Sequence, residues 1–331
     1  MGQVIPVEVH SIQNWGFNYG FQSKRSTYEH LSKEAKKEII SSLEGWIVQD
    51  DFDKTASQFP PAIRYRILPL FASMRILKDG LRIFFENPFW YLQTDGEYEN
   101  DNDETKVESA FGAQINTLYQ QFTIVDEQLA NHWRAQTSRL ANARDSGSLW
   151  PPRDPELGLA NKALQEEKAK KFAAAMLKDK TFRYLLRELR DDEDADEMQG
   201  SLGLTYICLA GLVRGIATGQ PALSWKLLDE IPKTYNRSSE KVEVAHLHGL
   251  LSRSSRLNEH EILAIVSPLF IRTGSFHDRI RYDRTVIPAE VLLEDRFGRM
   301  DRVHSSDEDA FPRKRRKKTK KTKSDKDVWI E

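Results

Sequence analysis

Apolar positions recur at three- and four-residue spacing along most of the chain, the period of a helix with one buried stripe. Between Thr27 and Val48 these positions are Leu31, Ala35, Ile39, Leu43 and Trp46, which predicts one amphipathic helix. Pro60-Pro61 opens a second, because proline is tolerated in a first turn whose N–H groups are unpaired anyway. Its stripe continues through Ile63, Ile67, Phe71, Met74, Leu77, Leu81, Phe84 and Phe85. Pro69 falls inside that stripe and predicts a kink or break, since a mid-helix proline removes a hydrogen bond and costs about 3 kcal/mol. Asn87-Pro88 ends the pattern, and Phe89-Trp90-Tyr91-Leu92 reads as core rather than as a ligand platform.

The same spacing predicts helices near 106–124 (Val107, Phe111, Leu118, Phe122), 126–143 (Leu129, Trp133, Leu140) and 157–178, and one over Phe182, Leu185, Leu186 and Leu189. The acidic run 191–197 leads into an apolar helix over 198–217, where carboxylates meet the partial positive charge of a helix N-terminus. Gly203, Gly211, Gly215 and Gly219 are spaced by multiples of four in that helix, which predicts close helix packing. Further helices are predicted from Pro221 through Ile231, over 243–251 and over 259–270. Only 276–287 alternates enough to predict a strand.

The expected fold class is therefore all-α, a bundle-like body of one or two helical subdomains. Residues 1–25, aromatic among Gly and Asn, read as an extended N-terminal arm. The helical regions are 26–144 and 157–300, joined by a linker at 145–156 (DSGSLWPPRDPE), and 301–331 reads as a disordered tail.

Charge changes the picture at the end of the chain. The net formal charge is -1, yet nine of the 49 basic residues lie in the eleven positions from Arg313 to Lys323. Taking the ten basic and three acidic residues of 313–331 from the 49 and 50 of the whole chain leaves 39 against 47, a net −8 for the body. An acidic body repels a phosphate backbone, so nucleic-acid contact is expected only from the tail or a local patch.

Pro312-Arg313-Lys314-Arg315-Arg316-Lys317-Lys318, continued by Lys320, Lys321 and Lys323, resembles a monopartite nuclear localisation signal. Its partner would be the nuclear import receptor, and the expected location is the nucleus. The other reading of this run is a solubilising or non-specifically nucleic-acid-binding tail, and the two roles are compatible. Ser305 and Ser306 have acids three residues on, a pattern resembling an acidophilic kinase site, and phosphate there would tune import. The final Val328-Trp329-Ile330-Glu331 is apolar after such a run and reads either as a docking motif or as chance.

Other chemistry finds little support. Arg279, Arg281 and Arg284, with Tyr282 and His277, form a basic patch that would contact phosphate or else be a solvated hairpin edge. On a strand Arg279 and Arg281 would share a face. His246, His248 and His260, with Glu259 and Glu261, lack the H-E-x-x-H spacing that sets two ligands on one helix face, so no metal site is expected. The acidic stretch 93–105 lacks the Gly and terminal Glu of a calcium loop. Phosphate-cradling glycine loops and a G-x-S-x-G elbow are absent from the sequence, and no cofactor is expected. The single Cys208, in the apolar run 202–213, reads as a buried hydrophobe and excludes an internal disulfide. That run is too short to span about 30 Å of hydrocarbon, so no membrane contact is expected.

Ser57-Gln58-Phe59-Pro60-Pro61-Ala62-Ile63-Arg64, Phe84-Phe85-Glu86-Asn87-Pro88-Phe89-Trp90-Tyr91-Leu92 and Phe182-Arg183-Tyr184-Leu185-Leu186 resemble segments shared by uncharacterised mainly helical proteins of filamentous fungi. The resemblance implies a helical fold and no activity, and it carries over no functional residue. The leading expectation is a nuclear adaptor or regulatory protein whose body binds a nuclear protein. An enzyme with a pocket between helices and a nuclear effector acting on a foreign partner are the alternatives. A deep pocket with converging polar groups would favour the enzyme, and an exposed apolar patch the adaptor.

Overall fold

The computed structural model describes residues 4–21, 28–48, 50–59, 61–64, 66–92, 110–143 and 155–219, followed by six short strands. The described body is mainly helical, as the periodicity predicts. Its helices are α1 (Val4–Tyr19), α2 (Lys33–Ser42), α3 (Phe52–Gln58), α4 (Pro61–Arg64), α5 (Ile67–Glu86), α6 (Ala110–Val125), α7 (Glu127–Ala141), α8 (Glu156–Lys178), α9 (Lys180–Arg183) and α10 (Asp192–Gly219). Ser32, Asp51, Asp126 and Asp179 each accept a hydrogen bond from the backbone N–H three residues on, capping α2, α3, α7 and α9. Such a cap stabilises a helix by about 1 kcal/mol.

α5 is the hub. It is buried along most of its length from Ile67 to Phe84, with Arg75, Lys78 and Arg82 at its less buried positions, and it packs on α1, α10 and one strand. The break expected at Pro69 is present: α4 stops at Arg64 and α5 restarts at Ile67. Pro69 thus stands in a first turn, where its missing N–H costs nothing. Arg64 holds the bend before it, donating through Nε to the Phe59 carbonyl and through a terminal nitrogen to the Ser57 carbonyl, both at 2.6 Å. Phe84 then collects an aromatic cluster of Trp90, Phe172 and Tyr206.

Several expectations need correction. Residues 1–25 are not an extended arm, because α1 occupies Val4–Tyr19 and buries Ile12, Trp15 and Tyr19. α1 crosses α5 where two glycines admit the other backbone: a Cβ on Gly16 would stand 2.1 Å from Ser73 Oγ and 2.5 Å from the Pro69 carbonyl oxygen. Of the glycines of α10 expected at a close contact, Gly203 faces α8, where a Cβ would stand 3.4 Å from Lys170 Cγ and 4.0 Å from its Cα, whereas a Cβ on Gly211 would meet nothing within 4 Å; the side-chain surroundings of Gly215 and Gly219 lie outside the described residues. α5 approaches α10 more closely through Gly80, where a Cβ would fall 2.4 Å from Leu209 Cδ2.

The segment after Phe182 is not one helix. Past α9 the chain extends, and Leu186 bridges Gly20: the Phe21 N–H donates to the Leu185 carbonyl and the Arg187 N–H to the Tyr19 carbonyl, each at 2.9 Å. Nor does 145–156 divide the body. α7 and α8 join across it, with Asn161 donating to the Ala141 carbonyl (2.7 Å) and Gln165 to Asn142 Oδ1 (2.9 Å). Residues 1–295 form one compact unit, and the second unit, 296–331, lies outside the described residues.

The helices expected after Pro221 are replaced by strands β1 (Leu223–Trp225), β2 (Val242–Val244), β3 (Ile262–Ser267), β4 (Phe270–Ser275), β5 (Arg281–Ile287) and β6 (Ala289–Leu293). β5 falls within the one expected strand, 276–287. One sheet has the order β1-β4-β5, all antiparallel; the other has β2-β6-β3, with β2 parallel to β6 and β3 antiparallel to it. β3 ties its sheet to the helices. The Val48 N–H donates to the Leu263 carbonyl (3.0 Å) and the Ile265 N–H to the Trp46 carbonyl (2.8 Å), with Leu263, Ala264 and Ile265 buried.

Candidate functional site

The surface feature that sets this molecule apart is the hairpin of α6 and α7. α6 reads AFGAQINTLYQQFTIV and has no ionisable acid or base except the Tyr119 phenol, in a chain that is 30% charged. Phe111, Ile115, Leu118, Phe122 and Val125 follow the alternating four- and three-residue spacing of a coiled-coil seam. One side of the hairpin is anchored to the body through Phe89, whose ring contacts Tyr119 and Trp133, and Trp133 meets Phe122 edge-on at 5.3 Å. The Tyr119 hydroxyl donates to Asn131 Oδ1 (2.9 Å), locking α6 to α7.

Apolar side chains are nonetheless left in solvent along α6 and beyond its end. Ile124 is 86% exposed, Val125 85% and Leu129 67%, with Leu118 and Phe122 also exposed. Single exposed apolar residues are ordinary, and these five stand close together in sequence on one hairpin. A surface of this composition, apolar and depleted of charge, is what the buried centre of a protein interface requires. Asp126 caps α7 through the Leu129 N–H at 2.9 Å, which fixes the tight turn that carries these side chains.

Inside the body several charged groups serve the packing of α5 against α2. Asp79 pairs with Arg75 on α5, and burial pushes its carboxyl above the ordinary range while Arg75 opposes the shift. Arg75 donates to the Ser42 carbonyl, and Lys78 to the carbonyls of Ser42 (3.0 Å) and Glu44 (2.8 Å), so α5 supplies the cations that satisfy the end of α2. Burial depresses the Lys78 ammonium. The Tyr206 hydroxyl has no hydrogen-bond partner among the described residues; burial, then the Asp79 charge, raises it well above an ordinary phenol. Tyr206 is 0% exposed, so its hydroxyl is closed off from solvent.

A second network joins α1 to α10. Both Asp194 carboxylate oxygens receive the Arg187 guanidinium at 2.6 Å, and one also receives the Arg190 N–H at 3.1 Å. These bonds, Arg187 first, hold its carboxyl far below the ordinary carboxylate range. Arg187 lies over the Tyr19 ring, and the Tyr19 hydroxyl donates to Glu197. Asp192, Glu193 and Asp194 fill the first turn of α10, the placement expected for the acidic cluster. A shallow surface depression of about 570 Å³, lined by Glu34, Lys37, Glu38, Ser41, Ser42 and Thr181, mixes both signs of charge and has no converging set of like groups.

The basic run from Pro312 to Lys323, Ser305, Ser306, Arg279 and the histidines 246, 248 and 260 lie outside the described residues. Arg281 and Arg284 stand on β5, where Arg281 pairs in register with Ser275 and Arg284 with Arg272. Cys208 is exposed, not buried as expected, because the buried stripe of α10 runs through Leu202, Tyr206, Leu209 and Val213. Among the described residues no group of three His, Cys, Asp or Glu side chains could hold a metal ion, and no helix is long and apolar enough to cross a membrane. The α6 face went unnoticed in the sequence, although an uncharged 16-residue run can be read there directly.

Compared with known proteins, the chain matches no family model, no curated protein and no solved structure.

Proposed function

We propose that this chain is a nuclear adaptor or regulatory protein that works by docking another protein on its helical body. The observation that carries this reading is the set of exposed apolar side chains on the uncharged helix α6 and on the start of α7, Leu118, Phe122, Ile124, Val125 and Leu129. Keeping Ile124 and Val125 in water forfeits roughly 1.5–3 kcal/mol each relative to burial, a driving force that only an interface recovers. The basic run from Pro312 to Lys323 supports the nuclear half of the reading: it would enter acidic pockets of the import receptor, with Ser305 and Ser306 as positions for phosphate control. Contact of the same run with nucleic acid would be weak and salt-dependent.

The test is proximity labelling in cells with the full chain, compared with the double variant Ile124→Lys, Val125→Lys. Lysine is a good helix former and suits a helix C-terminus, so the variant keeps its fold, checked by its melting curve. The reading expects specific neighbours to disappear from the labelled set. An unchanged set from a folded variant refutes it.

A further inference from the structure

We propose that Thr123 is a phosphoacceptor for an acid-directed serine/threonine kinase, and that phosphate on it switches off docking at the α6–α7 turn. The second half rests on the reading of the α6–α7 residues as a docking surface and names its regulation.

The spacing comes first. Thr123-Ile124-Val125-Asp126-Glu127 sets carboxylates three and four residues after a hydroxyl, the third-position acid that also follows Ser305 and Ser306. A kinase with basic side chains beside its acceptor pocket pairs with such carboxylates. Spacing alone does not make a site, because the acceptor and its neighbours must also be within the kinase's reach. Ser41 has the same spacing to Glu44, yet Leu43 between them is 0% exposed and holds that stretch in the core.

At Thr123 the fold does the opposite. From Gln120 to Leu129 every residue but Thr123 is exposed, and Thr123 itself is partly so. Its Oγ1 donates to the Gln120 carbonyl at 2.7 Å, a bond at the surface that rotation of one side chain releases. The acceptor stands in the last turn of α6, which ends at Val125, and helix ends open at lower cost than helix centres. That allows the extended backbone a kinase cleft requires.

In the transfer, the Thr123 hydroxyl oxygen attacks the γ-phosphorus of ATP supplied with the kinase. The Oγ1–P bond forms, the bond from that phosphorus to the β–γ bridging oxygen breaks, ADP leaves, and the hydroxyl proton passes through the kinase's base to solvent. The product sets a phosphate at the negative end of α6 and next to Asp126 and Glu127, and α6 has no basic side chain to pair with it. It also stands one and two residues from Ile124 and Val125, which are 86% and 85% exposed. Burying those side chains against a partner would then strip water from the phosphate, a cost that apolar contact does not offset.

The full chain is incubated with ATP and an acid-directed kinase whose activity is confirmed on casein, and the modified residues are located by peptide mass spectrometry. The proposal expects phosphate on Thr123, and a rate there at least about tenfold lower in the double variant Asp126→Asn, Glu127→Gln. Asparagine keeps the cap on the Leu129 N–H while removing the charge, and melting curves check that the variant is folded. A wild type without phosphate on Thr123, or equal labelling in that variant, overturns the site. In cells, Thr123→Glu should lose the same labelled neighbours as Ile124→Lys, Val125→Lys, whereas Thr123→Val should keep them. If Thr123→Glu keeps neighbours that the double lysine variant loses, the docking surface stands and its control by Thr123 is refuted. If the double lysine variant loses none, the docking reading fails and the switch with it, while the mass spectrum still decides whether Thr123 is a phosphoacceptor.

Discussion

Replacing Gly16 by alanine tests the helix crossing at the centre of the body. An alanine in a helix interior is favoured over glycine by roughly 0.5–1 kcal/mol, so propensity alone makes Gly16→Ala stabilising. The crossing reverses that sign. The new Cβ would sit 2.1 Å from Ser73 Oγ and 2.5 Å from the Pro69 carbonyl oxygen. Ser73 can rotate away only by giving up its bond to that same carbonyl, at 3.0 Å, and the carbonyl belongs to the backbone of α5. Overpacking against a backbone costs about 1–3 kcal/mol, so a net loss of about 1–2 kcal/mol is expected. Gly200→Ala is the internal control: nothing stands within 4 Å of a Cβ there, and a gain of about 0.5–1 kcal/mol is expected. Urea unfolding at fixed pH measures both as shifts in midpoint at unchanged slope. If Gly16→Ala is neutral or stabilising, α1 does not cross α5 at this contact.

Three further outcomes follow from the interior. Phe84→Ala removes the ring that gathers Trp90, Phe172 and Tyr206, and should cost about 3–5 kcal/mol in urea unfolding; a loss under about 1 kcal/mol would contradict the cluster. Arg64→Lys cannot span the two carbonyls of Ser57 and Phe59 and should cost about 1 kcal/mol in thermal unfolding, whereas a neutral result would dissolve the clamp. Asp194 has a folded-state pKa depressed by Arg187 and Arg190, so its contribution is fully present above the unfolded value of about 4 and is lost as pH falls below it. Melting curves of wild type and Asp194→Asn should therefore differ most near neutral pH and converge in acid, and a constant difference from pH 7 to pH 3 would refute the assignment.

Much of the helical body was legible because its stripes are long. α2, α5, α6, α7 and α8 all lie within segments whose apolar spacing exceeds two turns, and the proline at position 69 announced its own break. α1 was missed although Ile12, Trp15 and Tyr19 carry a helical stripe, because Gly16 and Gly20 lower helix propensity and their role appears only once Pro69 and Ser73 face them. The region after 220 failed for a different reason. Ile262-Leu263-Ala264-Ile265-Val266 is a short apolar run, which spacing alone cannot divide between a buried strand and a buried helix. Its β-branched residues and Pro268 pointed to a strand, and the bonds from Trp46 and Val48, over 200 residues earlier in sequence, complete it. Cys208 was misplaced because an apolar neighbourhood in sequence says nothing about which side of α10 a residue faces. On the site, the basic tail was plain from composition, whereas the α6 face required knowing which of its apolar residues the fold leaves uncovered.

The nuclear adaptor reading is tested most directly by the nuclear-to-cytoplasmic ratio of a fluorescent fusion of the full chain, set against one truncated before Pro312. The account expects the full chain to concentrate in the nucleus and the truncated chain, whose helical body is intact, to lose that accumulation. Equal ratios for the two would contradict it.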